Sequence, residues 1–465
     1  MKEKISPVVI KLPKTLLLLA GLGLSQAASH AQTIWLPGSD SVNIARSGTG
    51  VAFGRSLEAC SLNPSLLVTL QDRMSGYLAG GMEMQSTQLT LPSNERVLYS
   101  TDRNRLLTAA GFGWRYSPKV ALGFKVDSPF MRHAELPMES SSRFFGQAID
   151  LKSLRMEFQA SYAVTDAVSI GLSAGVTRLD YASQLSLRAL VPNDAHLPAS
   201  ESNPAEVLLE TMAHQEGSVS APSFAVGFRY AFSSRWTVAG SFTSGVKGRP
   251  AFDTHLPSRN LDLYNSRGFN SPPPPYGSEE RAQIVLDALT VHPGDGDLAL
   301  PYIVQVGTRQ RYNQIMTWEV DIRFVGASTT KLPLQPTIDS PSGKVSSVDR
   351  QYRFKDGLAF CGMLELSLDR DWTARVGISY DPALREGEEV EAMLGGAKVA
   401  AFSLGFGRKV LGGEVSVGYQ YRQAQNREAN GVEGVWSIHG LDITGTQTRV
   451  EGMGHIWSLG YKKSF

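Results

Sequence analysis

The chain is 465 residues long, 42% hydrophobic and 9% aromatic, and only 19% of it is charged, below the roughly 25% usual in soluble domains. With 45 basic against 44 acidic side chains and a formal net charge of +1, it has no global field to gather nucleic acid. Its two cysteines, Cys60 and Cys361, provide neither a zinc-ligand spacing nor a disulfide framework.

At the start of the chain, Lys2, Lys4, Lys11 and Lys14 precede the apolar run Thr15 to Leu24, and small residues lead to Ser29-His30-Ala31. A basic head, a short apolar stretch and a small-x-small end read as a secretory signal over residues 1–31. The competing reading, a membrane anchor, needs a longer run to cross ~30 Å as a helix. From Gln32 onward no stretch holds eighteen apolar residues, so an exported chain here is either soluble or a β-barrel. Residues 32–70 show no alternation. They contain Ser47-Gly48-Thr49-Gly50-Val51-Ala52 and then Glu58 to Leu67 with Asn63-Pro64 at its middle, a small-residue composition suited to a plug.

Beyond residue 70, apolar and polar residues alternate with period two, which sorts side chains onto two faces of a strand. Phe224, Val226, Phe228, Tyr230 and Phe232 share one parity, and Ala225, Gly227, Arg229 and Ala231 the other; Trp318, Val320, Ile322 and Phe324 oppose Glu319, Asp321 and Arg323. About fourteen such strands are expected, near 72–86, 105–117, 119–130, 151–164, 167–181, 217–232, 235–248, 299–312, 315–327, 356–369, 371–381, 397–408, 411–424 and 452–465. Short turns at Ser117-Pro118, Thr165-Asp166, Ser233-Ser234, Asn313-Gln314, Asp369-Arg370-Asp371 and Lys409-Val410 alternate with long polar loops. That asymmetry is expected of an all-β, antiparallel transmembrane barrel spanning 71–465, with short periplasmic turns and long external loops. The chain ends Trp457, Leu459, Tyr461, Lys463, Phe465 on one parity, which looks like the edge-strand signal read by the barrel-insertion machinery of an outer membrane. Lipid and lipopolysaccharide would then be its surroundings, and one chain suffices to close the barrel as a monomer.

Fourteen strands ~4.8 Å apart and tilted ~40° give a barrel of roughly 27 Å backbone diameter, too wide for wall side chains alone to fill. The small-residue start around Gly48 and Gly50, then Asn63-Pro64-small-Leu directly before the first strand, resembles the N-terminal hatch of the FadL/TodX-type outer-membrane transporters of long-chain fatty acids and aromatic hydrocarbons. So do Leu300-Pro301-Tyr302, Phe354-Lys355-Asp356-Gly357, Trp372 to Pro382, and Gly460 to Phe465. The resemblance implies a hatch over 32–70, a hydrophobic small-molecule ligand captured among external loops, a second site beside the hatch, and lateral exit at a kink in the third strand. In this chain that strand ends Asp127-Ser128-Pro129. Pro removes a ladder donor there, which suits either a kink or a simple strand end.

The two longest loops, 182–216 and 249–298, fall at the family's capture-loop positions. Each carries a run with helical spacing, Pro204 to Met212 with Val207, Leu208 and Met212, and Ser278 to Leu289 with Ile284, Val285 and Leu289; these are candidate capture residues or plain loop packing. The inward-parity charges Arg155, Glu157, Arg229, Glu319, Asp321, Arg323 and Arg375, with Arg115, Lys125 and Glu365, are expected to pair in the lumen and fasten the hatch, since unpaired buried charge is costly; an arginine on a ligand carboxylate is the alternative. His133, His196, His214, His255 and His292 read as loop residues with no ligand spacing, so no metal and no cofactor is expected. Catalytic motifs are absent from the sequence and no enzyme is expected. Two other functions stay open at this point, a polar-solute porin and a loop-displaying adhesin or phage receptor. Cys60 in the hatch and Cys361 on an inward parity share one lumen, and whether they bridge is open.

Overall fold

A computed structural model describes residues 38–54, 56–90, 96–100, 105–135, 148–192, 206–255, 290–333, 337–339, 354–384, 398–424, 427–429 and 448–465. The wall is a single antiparallel sheet closed on itself. Its staves are β1 (Met74–Thr90), β2 (Arg96–Ser100 and Arg105–Arg115), β3 (Val120–Asp127 and Met131–Glu135), β4 (Ala148–Ala163), β5 (Val168–Pro192), β6 (Glu206–Ala231) and β7 (Trp236–Thr243 and Ala251–His255). They continue with β8 (Tyr302–Arg311), β9 (Met316–Gly326), β10 (Gly357–Ser367), β11 (Trp372–Asp381), β12 (Val399–Val410), β13 (Gly413–Ala424 and Arg427–Ala429) and β14 (Thr448–Ser464). Closure is direct, β1 pairing β14 from Ser75↔Ser464 to Thr90↔Arg449, so no edge is left to template aggregation. The fourteen staves match the strand count read from alternation.

Two solvents explain the wall. In β4, Phe158 is 73% exposed while Glu157 and Gln159 beside it are 0% and 5% exposed. An outside that is apolar and bare, with an inside that is polar and covered, is the pattern of a stave between lipid and a filled lumen. At the short-turn end Tyr230, Phe232 and Trp236 pack with ring centroids 4.5 and 5.1 Å apart, the aromatic girdle of a membrane interface.

Five of the six short turns use one device. Ser117, Thr165, Ser233, Asn313 and Asp369 each accept, through a side-chain oxygen, the backbone N–H groups two and three residues on, which replaces a turn hydrogen bond at the point where the ladder stops. The remaining one turns at Leu411 and Gly412, both at positive φ (53° and 72°), as a two-residue hairpin matched to sheet twist requires.

Several expectations are corrected. Residues 206–212 are strand, not helix, and of the expected 182–216 loop residues 182–192 and 206–216 belong to the wall, because β5 and β6 pair from Val168↔Tyr230 to Pro192↔Glu206; residues 193–205 lie outside the described residues. Val207, Leu208 and Met212 therefore stand in the ladder. The 249–298 segment contains Ala251–His255 and Thr290–His292 as strands; Ile284, Val285 and Leu289 lie outside the described residues. His133, His214, His255 and His292 are in strands, and His196 lies outside the described residues. The third stave is not continuous to Phe130. Its lower half pairs β4 down to Asp127↔Arg155 and its upper half resumes at Met131↔Lys152, while its ladder to β2 ends at Ala110↔Val126 among the described pairs.

Inside the barrel lies the N-terminal segment. Helix α1 (Ser41–Ala45) and two 3-10 turns, Glu58–Ser61 and Pro64–Thr69, are buried almost throughout. Leu57, Leu66, Leu67 and Leu70 form a cluster with Tyr77, Ala109, Ala121 and Met363 of the wall.

Candidate functional site

The site is the seam between the N-terminal segment and the inner wall. Small residues on the lumen face let backbone approach backbone. A Cβ added at Gly171 would stand 2.3 Å from the Ser65 nitrogen, and one at Gly227 1.9 Å from the Asn63 side-chain oxygen. Against these seats Ser161 and Ser169 each donate through Oγ to the Ser65 carbonyl at 3.0 Å. Asn63 caps the turn at Pro64 by accepting from Ser65 N and Oγ (3.0 and 2.7 Å), and donates to Val51 O at 2.8 Å and Phe228 O at 3.1 Å. One amide thus joins both halves of the segment to β6. Pro at the first helical position needs no donor, which is why Asn63-Pro64 works as a pair.

On the opposite wall, the Gly-rich stretch meets two carboxylates. Asp321 accepts from Gly50 N at 2.9 Å and Val51 N at 3.2 Å, and Glu319 from Ala52 N at 2.7 Å. Gln305 donates both to Asp321 and to the Gly48 carbonyl. Gly48 at φ 77° closes α1 by donating to Asn43 O, a left-handed position that favours glycine.

Other charges inside the lumen form ion pairs. Arg155 grips Asp127 through two bonds of 2.8 and 2.6 Å; Lys125 lies 3.1 Å from Glu157 and donates to Ser61 O. Arg375 bridges Glu365 and Glu414, Arg46 of the segment reaches Glu365 at 2.8 Å, and Arg323 holds Asp381. Arg229 is half-buried on the lumen parity of β6, and Arg115 donates to the carbonyls of Leu70 and Gln71. Sequence reasoning missed Phe53, held between the guanidinium groups of Arg46 (3.7 Å) and Arg309 (4.4 Å). It also missed Asp40, the N-cap of α1, which accepts from Val42 N and Asn43 N; an Asp followed by Ser-Val-Asn was the available signal. Burial, helped by nearby Glu58, pushes the Asp40 carboxyl up to about 7 against the opposing Asn43 N–H and Arg46. Burial pushes the Cys60 thiol up as well. Cys60 and Cys361 are both buried and free.

The break in β3 faces this seam. Asp127, Ser128, Pro129 and Phe130 are all buried, whereas a regular stave would bury every second one. Ser128 N lies 3.4 Å from Ser39 Oγ of the segment, and Ser153 of β4 takes over the bonds to Phe130 N and O. Just above, Ile44 of α1 packs with Leu107, Met131 and Ile456 in a buried apolar cluster. A separate shallow groove of about 680 Å³ between Tyr162, Ile170, Phe228 and Val306 lies on the lipid side of the wall, apart from this seam.

A fourteen-stave barrel with an apolar exterior and an occupied lumen is an outer-membrane transport protein in architecture. Residues 25–465 match the family described as outer membrane protein transport protein (OMPP1/FadL/TodX), and the chain belongs to that family. Solved structures share the fold at low identity. A Pseudomonas aeruginosa FadL homologue superposes with a TM-score of 0.69 at 13% identity, covering 94% of this chain and all (100%) of its own. The Pseudomonas putida toluene transporter TodX gives 0.64 at 13%, covering 92% and 99%, and the Ralstonia pickettii toluene transporter TbuX 0.59 at 14%, covering 92% and 99%. Among curated protein sequences none matches. The chain is an outer-membrane transport protein of that family, and not an enzyme.

Proposed function

We propose that this monomeric barrel carries hydrophobic small molecules, long-chain fatty acids or hydrocarbons, passively inward across the outer membrane. Residues 32–70 act as its hatch, with Gly48, Gly50, Asn63 and Pro64 as the fastening motif. Ligand is captured at the external end, which includes the Val207, Leu208 and Met212 stretch of β6, binds beside the hatch, and leaves sideways between β2 and the upper half of β3.

The observation that carries this reading is the interruption at Asp127-Ser128-Pro129, adjoining the apolar cluster of Ile44, Leu107, Met131 and Ile456. An apolar ligand released into the periplasm must be rehydrated at ~0.8 kcal/mol per CH₂, whereas release into the bilayer avoids that term. The lumen charges Arg155, Glu157, Arg229, Glu319, Asp321, Arg323 and Arg375 serve in this account to hold hatch and wall in shape, Glu319 and Asp321 by accepting backbone N–H groups of the segment. To test it, Pro129→Val is combined with a disulfide from Thr108→Cys to Ser128→Cys, continuing the β2–β3 register, in a background with Cys60 and Cys361 replaced by Ser. Uptake of an apolar solute is expected to stop while binding persists and dithiothreitol restores transport. Transport at the wild-type rate by the oxidised barrel would exclude lateral exit.

A further inference from the structure

Outside the lumen, the structure brings together two histidines that the chain separates. His214 of β6 and His255 of the upper part of β7 are direct cross-strand partners, and their ring centroids lie 4.8 Å apart. Directly beside them on the same face, Glu216 opposes Asp253. The location is defined by the outward parity of β6, which runs from exposed Tyr230, Phe228, Val226 and Phe224 through Pro222, Ser220 and Ser218 to Glu216 and His214. The apolar run ends at Phe224, so the pair sits beyond the lipid band, on the exterior of the long-loop end of the barrel.

We propose that His214 and His255 form a surface binding site for a divalent transition-metal ion of the Cu²⁺ and Zn²⁺ class. Imidazole is the side chain these ions favour. With metal–nitrogen bonds of about 2.0–2.1 Å, two rings on one ion at right-angle to tetrahedral geometry place their centroids roughly 4.5–5.2 Å apart, which brackets the observed spacing. His214 is also oriented by a third group, since the Gln184 amide of β5 lies 3.1 Å from Nδ1. The atom nearest Nδ1 is the amide nitrogen Nε2 of Gln184; a half-turn of the amide exchanges it with the oxygen, which then accepts the Nδ1 proton and leaves the His214 Nε2 lone pair for an ion, the arrangement that fixes metal-ligating histidines generally. Nε2 has no competing hydrogen bond to the nearest carboxylate, because Glu216 Oε2 is 3.7 Å away, beyond hydrogen-bond range. Glu216 and Asp253 still place two negative charges next to the ion. Among the described residues no three His, Cys, Asp or Glu side chains are placed to hold a metal ion, so the protein supplies two nitrogens and water completes the shell. Cu²⁺ is bound most tightly on the usual divalent order.

The test uses the full mature protein, untagged and in detergent, titrated with Cu²⁺ and with Zn²⁺. One ion per chain is expected, with nitrogen hyperfine structure from two imidazoles in the Cu²⁺ electron paramagnetic resonance spectrum. His214→Ala and His255→Ala are each expected to weaken binding by at least about tenfold and to reduce the hyperfine pattern to a single nitrogen, whereas His292→Ala leaves both unchanged. Heat-shifted gel mobility confirms that each variant remains a folded barrel. Wild-type affinity in either His214→Ala or His255→Ala, or a Cu²⁺ spectrum with no paired nitrogens in the wild type, overturns the assignment.

Discussion

Gly171→Ala is the sharpest probe of how the N-terminal segment is seated. The new methyl carbon would lie 2.3 Å from Ser65 N, 2.4 Å from the Pro64 carbonyl carbon and 2.7 Å from its oxygen. These are backbone atoms, so no rotamer change relieves the contact. The segment must instead move off the wall by roughly 1 Å, which in a packed interior costs about 1–3 kcal/mol. The same movement stretches the bonds from Ser161 and Ser169 to the Ser65 carbonyl, at about 1 kcal/mol each. Together these weaken docking of the segment by roughly 3–5 kcal/mol, a large part of the margin by which any folded unit is stable. The wall itself loses nothing, since alanine is at least as good a strand residue as glycine. The assay is amide hydrogen exchange over residues 38–72 in parallel with single-channel recording. Faster exchange there, unchanged exchange in β4 to β6 and a raised ion conductance are expected. Gly362→Ala, where the nearest atom would be 3.6 Å away, is the control and should behave as wild type. Wild-type protection of 38–72 in Gly171→Ala would refute the reasoning, because the segment would then stay docked despite the clash.

Other outcomes follow from the same seam. Asp321→Ala removes the acceptor of two buried N–H groups, Gly50 and Val51, at about 1–3 kcal/mol for each orphaned group; faster protease cleavage of the Gly-rich stretch than in wild type is expected, and equal cleavage would show those bonds to be idle. The folded-state carboxyl of Asp40 is raised to about 7 from an ordinary 3.8, so its neutral form stabilises the segment fully below about pH 4, and that stabilisation, on the order of 4 kcal/mol, is lost as pH rises to about 7. Exchange of residues 38–50 should therefore be slower at pH 5 than at pH 8 after correction for intrinsic rates, and Asp40→Asn should flatten the difference. Alkylation after denaturation without reductant should label both Cys60 and Cys361; labelling of neither would mean they are bridged.

How much of this was legible in the sequence follows from the range of the interactions. Strand parity could be read because lipid and lumen impose opposite demands on neighbouring residues such as Glu157 and Phe158, and the short turns because Ser117, Thr165, Ser233, Asn313 and Asp369 act within three residues of themselves. The run Glu206 to Met212 misled because Leu, Glu and Met favour helices intrinsically. What decided it was the extension of β5 through Leu185, Leu187, Ala189 and Val191, a partner visible only as faint alternation. The Asp127-Ser128-Pro129 break was visible as a proline but not as a change of partner, since the β3 register against β4 and its loss against β2 are long-range facts. Likewise the glycine seats at Gly171 and Gly227 look like ordinary strand glycines until Asn63 and Ser65 are placed against them, and His214 meets His255 only through the β6–β7 ladder.

The central claim is that this barrel is closed to water-soluble solutes yet passes apolar ones. The direct measurement is uptake by cells with and without expression of the chain, comparing a radiolabelled long-chain fatty acid and a monoaromatic hydrocarbon with a sugar of similar size. Expression is expected to accelerate entry of at least one apolar solute and to leave the sugar unchanged. Faster entry of the sugar with no gain for either apolar solute would contradict the account and make the protein a polar-solute porin.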